Sequence, residues 1–158
     1  MKWLLALLLC ASSVVAAAQE AKHFVRGSYQ EIVAARAGKP FIVSLWSLDC
    51  VHCRDDMALF RNMLKKYPGL DLVLIATDTP EQSPAISRTL QQYRLGRSAS
   101  WVFADSYTER LRFEVDGQWY GELPRTYFFD AQGHATAISG KLDRAQTERW
   151  VRANRKRG

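Results

Sequence analysis

The chain has 158 residues, 47% hydrophobic and 24% charged, with a formal net charge of +6. That length suits one domain with a proper core and excludes two ordinary ones, and no compositional bias marks a low-complexity chain. The basic excess gathers at Arg149, Arg152, Arg155, Lys156 and Arg157 with only Trp150 among them. This reads as a solvated helix face with a basic tail and not as a nucleic-acid groove, where aromatics are interleaved with cations.

At the N-terminus Lys2 precedes an apolar run at residues 3–9, and Ala16, Ala17 and Ala18 follow. A basic start, a short apolar stretch and an A-x-A exit describe a secretory signal peptide. The run is too short for a bilayer, which needs about 20 apolar residues. Residues 1–18 are therefore expected to be a leader cleaved near Ala18, and residues 19–158 a single exported domain without stable membrane insertion. A lipid-anchored reading through Cys10 is the rival, but Leu9 stands where a lipobox has a small residue.

After leader removal the cysteines are Cys50 and Cys53. Exported chains use cysteines as distant staples, whereas this pair closes too small a loop to restrain the chain. Their role reads as chemical.

Ser28 and Glu31 have capping-box spacing and predict a helix through Ile32, Val33 and Ala35, ending near Gly38 and Pro40. Phe41–Trp46 is a short apolar run, the pattern of a buried strand. From Cys53 the apolar positions Met57, Phe60, Leu64 and Tyr67 recur at helical spacing until Pro68 and Gly69. A second buried strand is predicted at residues 70–77, a helix at 84–93, a strand at 101–104 and a short helix at 107–115. Residues 126–129 and 135–139 flank a turn and predict an antiparallel hairpin; a helix at 142–153 closes the chain. This order predicts an α/β fold, a mixed central sheet with helices on both faces.

The segment WSLDCVHC, residues 46–53, puts a dithiol where a buried strand ends and a helix begins. Unpaired N–H groups and the positive end of the helix dipole stabilise a thiolate there. Cys50 is thus expected to be the acidic, attacking thiol, and Cys53 to resolve the mixed disulfide. Protonated His52, and Arg54, favour the Cys50 thiolate, while Asp49, Asp55 and Asp56 oppose it, so local charge leaves the direction of electron flow open. Structural zinc needs four ligands, and haem attachment needs His where Arg54 stands. Two thiols with His52 suit Cu(I), so a Cu(I) metallochaperone is the reading from outside the enzyme class. No cofactor is expected. Trp46 reads equally as core packing or as a wall of the site.

Residues 41–53 resemble the active-site strand and loop of thioredoxin-like proteins, especially exported TlpA/ResA-like disulfide reductases. A second match, GELPRTYFFDAQG at residues 121–133, resembles that family's segment around a cis-proline beside the disulfide. On sequence alone Pro124 is also compatible with an ordinary strand-entry proline. The resemblance implies that it is cis and that the backbone of Leu123 pairs with an extended substrate. The chain departs from the family at Val51 and His52, where many relatives have a proline between the cysteines. Ser44 stands where thioredoxins carry a buried acid, leaving the proton acceptor for Cys53 unassigned. The resemblance implies a periplasmic thiol–disulfide oxidoreductase that exchanges electrons with protein thiols and disulfides. The reductase direction is favoured, fed by a membrane-linked donor; an oxidase or isomerase is the rival within the class.

Overall fold

The structure, a computed structural model, describes residues 20–154. The expected leader, its cleavage point, Cys10 and the last four residues lie outside the described residues.

Strands β1 (Lys22–Phe24), β2 (Phe41–Trp46), β3 (Leu72–Ala76), β4 (Ala99–Phe103), β5 (Arg125–Phe129) and β6 (Ala135–Ser139) form one sheet in the order β1-β4-β3-β2-β5-β6. The pairs β1·β4, β4·β3 and β3·β2 are parallel, and β2·β5 and β5·β6 antiparallel. The expected mixed sheet is therefore present, with β2 near its centre.

Side chains alternate across a strand, and β2 feeds two cores. Ile42 and Trp46 face one side with Leu72, Leu74, Val102 and Phe128; Phe41, Val43 and Leu45 face the other with Val73, Ile75, Phe103 and Phe129. Every β2 residue is buried, and each large apolar side chain so placed contributes about 1.5–3 kcal/mol. Helices α2 (Val51–Lys66), α3 (Ser83–Gln92) and α5 (Arg144–Asn154) cover the first face; α1 (Ser28–Ala34) and α4 (Thr108–Val115) cover the second. Among the described residues no helix is long and apolar enough to cross a membrane.

The expected elements lie within a few residues of their predicted ends, with two differences. The short edge strand β1 has no sequence signal, because its three residues bury only Phe24. The capping box at Ser28 does not form. Gly27, at φ 90°, is the N-cap, and the Ser28 hydroxyl turns back to accept the Val25 N–H at 3.0 Å. A left-handed Gly27 puts Ser28 inside the first turn, where its hydroxyl closes the preceding turn instead of capping its own helix.

Candidate active site

Strand β2 delivers the chain to residues 47–49, and two contacts fix that loop. The Thr77 N–H donates to the Trp46 carbonyl at 2.9 Å, and the Leu48 N–H donates to both carboxylate oxygens of Asp78, at 3.2 and 3.1 Å. Asp78 is 9% exposed, and burial raises its pKa against the opposing pull of the Leu48 N–H.

Cys50 is the N-cap of α2, and its Sγ accepts the Cys53 N–H at 3.1 Å. A sulfur thus takes the position where a serine or aspartate oxygen usually satisfies a free helix N–H. That donor and the helix dipole favour negative charge on Cys50 when the pair is reduced. Cys53 is 2% exposed whereas Cys50 is only partly buried, and the two are joined by a disulfide with S–S 2.02 Å. The accessible sulfur is the N-terminal one.

Val51 and His52 between the cysteines are exposed. The His52 ring makes no hydrogen bond or ion pair among the described residues. The sequence-level opposition of three aspartates to two cations also changes. Asp55 is paired with Lys141 at 2.8 Å, Asp56 is buried, and Asp49 remains exposed.

Pro124 is buried and follows a cis peptide bond. The register sets Leu45 opposite Arg125, which carries the preceding Pro124 to the end of β2, where the loop to Cys50 departs. Leu123 packs against both cores, one of which contains Trp46 and Cys53. Trp46 is 2% exposed and, with Cys53, lines a cavity, so it is both core residue and wall. The structure therefore brings Cys50, Cys53, His52 and Pro124 to one end of the sheet. Among the described residues no group of three or more His, Cys, Asp or Glu side chains is placed to hold a metal ion.

No family model and no curated protein matches the sequence. Solved structures do match its architecture. One is a secreted Mycobacterium tuberculosis disulfide oxidoreductase homologous to E. coli DsbE, with a TM-score of 0.62 and 20% identity over 76% of this chain and 85% of that one. Another is a thiol:disulfide interchange protein of the thioredoxin family from Chlorobium tepidum, at 0.60 and 23% over 77% and 83%. StoA from Bacillus subtilis matches at 0.53 and 16% over 73% and 84%.

The chain has the thioredoxin-like fold.

Two features of the candidate site were not assigned from sequence. Asp56, 2% exposed, lies one turn beyond Cys53 on α2. Its Oδ1 accepts the Leu142 N–H at 3.0 Å, while its Oδ2 has no partner. Burial pushes its pKa up to about 6, against the opposing pull of the Leu142 N–H. The signal was present, because positions 53, 56, 57 and 60 share one face of a helix. Ser44 offers no substitute: its hydroxyl is buried and accepts from the Thr126 hydroxyl at 3.2 Å.

The second feature is a clamp on the residue after Pro124. Arg125 donates to Asp116 at 2.6 Å, to the Tyr127 hydroxyl at 3.0 Å and to the Ser139 hydroxyl at 2.5 Å. The Tyr127 hydroxyl also donates to Asp116 at 3.1 Å. The Gln118 N–H, then Arg125 and Tyr127, hold the Asp116 carboxyl below its ordinary pKa despite some burial. Arg125 thereby ties the cis-proline segment to the end of α4 and to β6. Its partners are scattered over three elements, so no local sequence motif announces it.

Proposed function

We propose that the protein is an exported thiol–disulfide oxidoreductase, resembling the TlpA/ResA-like reductases, that works on protein thiols and disulfides through Cys50 and Cys53. The observation that carries this reading is the asymmetry of the pair. Cys50 is partly accessible at the N-cap of α2, receives the Cys53 N–H at 3.1 Å and stands bonded to a buried Cys53.

In the reductase direction the Cys50 thiolate attacks one sulfur of a substrate disulfide. A bond forms between Cys50 and that sulfur, and the other substrate sulfur leaves as a thiolate. Cys53 gives up its proton and attacks the Cys50 sulfur. The Cys50–Cys53 disulfide forms and the second substrate thiolate leaves. The substrate gains two electrons and the protein loses them; a membrane-linked donor then returns the protein to the dithiol. Asp56 is the proton acceptor for Cys53 in this scheme, since its pKa near 6 leaves it largely ionised at neutral pH. Pro124 has no N–H to offer a nearby thiolate, and the adjacent Leu123 backbone pairs with the extended substrate. The leader pattern at residues 1–18 supports export of the mature chain to the periplasm or an equivalent oxidising space.

The test uses purified, reduced protein and insulin. Wild type is expected to reduce insulin disulfides, and Cys50→Ser to lose this activity. Absent reduction together with tight Cu(I) binding that needs both cysteines replaces the oxidoreductase with a metallochaperone. A reduction potential near −270 mV supports the reductase direction, and one near −120 mV the oxidase, these being roughly the values of thioredoxin and of a strong periplasmic oxidant.

A further inference from the structure

A cavity of about 400 Å³ opens beside the disulfide between the start of α2 and the Ala85, Thr89 and Gln92 side of α3. Its walls include Cys53, Trp46, Met57 and Tyr93, with Arg54 and Gln92 among the polar groups. The Cys53 sulfur is bonded to that of Cys50, so the reacting sulfur stands one bond from a cavity-lining residue. The volume lies within the range of small-ligand pockets and is ample for one side chain. The larger cavity, about 530 Å³, is at the opposite end of the sheet around Lys39, Tyr67 and Trp150, remote from the dithiol.

Charge decides what the smaller cavity accepts. Among the described residues lining it, Arg54 alone is charged. Of the acids nearby, Asp55 is paired with Lys141, Asp56 holds the Leu142 N–H, Asp78 holds the Leu48 N–H, and the exposed Asp49 does not line the cavity. Arg54 makes no ion pair among the described residues, and Gln92 makes no hydrogen bond there. A guanidinium offers five donors in a fork that matches a carboxylate, and the side-chain amide of Gln92 adds another donor. Both groups are exposed, so solvent screens the contact and its strength falls with added salt.

We propose that this cavity is a substrate subsite for an acidic side chain, Asp or Glu, near the reactive cysteine of a polypeptide substrate, with Arg54 as the specificity-determining residue. The proposal rests on the oxidoreductase reading and deepens it. An extended chain advances about 3.3 Å per residue, so a polypeptide held at Cys50 brings a residue close to its own cysteine within reach of the cavity. No new covalent step is involved; the subsite acts on binding and orientation.

The experiment measures kcat/KM of the reduced full chain on disulfide-linked peptides that carry Glu, Gln or Lys beside the cysteine. Wild type is expected to prefer Glu over Gln on the order of tenfold, the size of one charge-assisted hydrogen bond, and the preference falls with added salt. Arg54→Gln should bring the ratio near one, and Arg54→Glu should invert it toward Lys. Taking the ratio cancels any change in reduction potential, which acts on all the peptides alike. Ala85 also lines the cavity; Ala85→Phe fills it and should lower the ratio while Arg54 remains. A Glu-to-Gln ratio unchanged in Arg54→Glu overturns the subsite. So does a result in which Arg54→Glu impairs only glutathione disulfide, because the occupant is then a small thiol. Failure of wild type to reduce any peptide overturns the oxidoreductase reading itself, and the subsite with it.

Discussion

The carboxylate of Asp56 on α2 accepts the backbone N–H of Leu142 at 3.0 Å, joining the helix that Cys50 caps to the segment that leads into α5. One oxygen is used in this way and the other has no partner, so the ionised form of Asp56 is poorly compensated.

This sets a pH dependence of stability. In the unfolded chain Asp56 loses its proton near 3.8; in the folded protein it does so near 6. Between those values the folded state binds more protons, so the contribution of Asp56 to stability falls as pH rises, by about 1–3 kcal/mol, and is constant above. Asp56→Asn keeps an oxygen for Leu142 and removes the charge. Urea unfolding at several pH values should show the variant more stable than wild type at pH 7 and level with it near pH 4. A variant less stable at pH 7 contradicts the assignment of a poorly compensated charge.

The same substitution should slow the chemistry. If Asp56, one turn beyond Cys53 on α2, is the proposed proton acceptor, resolution of the mixed disulfide falls by roughly 10²-fold in this variant, the low end of what a positioned acid or base contributes. Single-turnover experiments separate this step from the first attack, which should change much less. Stability gained and activity lost in one variant is an outcome that a purely structural Asp56 does not give.

Much of this site was legible in the sequence. Phe41–Trp46 announces a buried strand, Pro68 and Gly69 end α2, and the dithiol between them falls where strand passes into helix. Asp56 was legible only as a nearby charge, although its spacing from Cys53 places it on the buried stripe. The Arg125 clamp and the hold of Asp78 on Leu48 were not legible, because their partners come together only when separate elements pack. Ser28 misled because the conformation of Gly27, and not the serine motif, decides where α1 begins.

The clamp makes its own prediction. The side chains of Arg125 and Asp116 are 13% and 23% exposed, and Asp116→Ala, which among the described residues leaves Arg125 only the longer ion pair with Glu122 at 3.6 Å, should cost about 1–3 kcal/mol. The double variant with Arg125→Met should lose less than the sum of the single losses, because the contact between Arg125 and Asp116 is counted in both single losses. The Asp116 carboxyl is held below its ordinary pKa, so its contribution is full above pH 3.8 and is lost as pH falls through the lower folded value. Denaturation of the four proteins checks this; additive losses contradict the pairing.

His52 should matter less to the reduction potential than its place between the cysteines suggests. Its ring is exposed and without a partner among the described residues, and solvent screens an exposed charge. His52→Gln is expected to lower the potential by less than about 30 mV, under a tenfold change for a two-electron couple. Equilibration with glutathione measures it, and a larger shift means that the imidazole turns onto Cys50 in the reduced protein.

The division of labour between the two thiols is the central claim, and trapping of mixed disulfides tests it most directly. Reduced Cys53→Ala and Cys50→Ala proteins are each mixed with an oxidised protein substrate, quenched with acid and examined by mass spectrometry without reductant. Cys53→Ala should accumulate a covalent complex through Cys50, because the resolving attack is missing; Cys50→Ala should accumulate almost none, since Cys53 is 2% exposed. Equal trapping by both variants, or trapping only through Cys53, contradicts the assignment of Cys50 as the nucleophile.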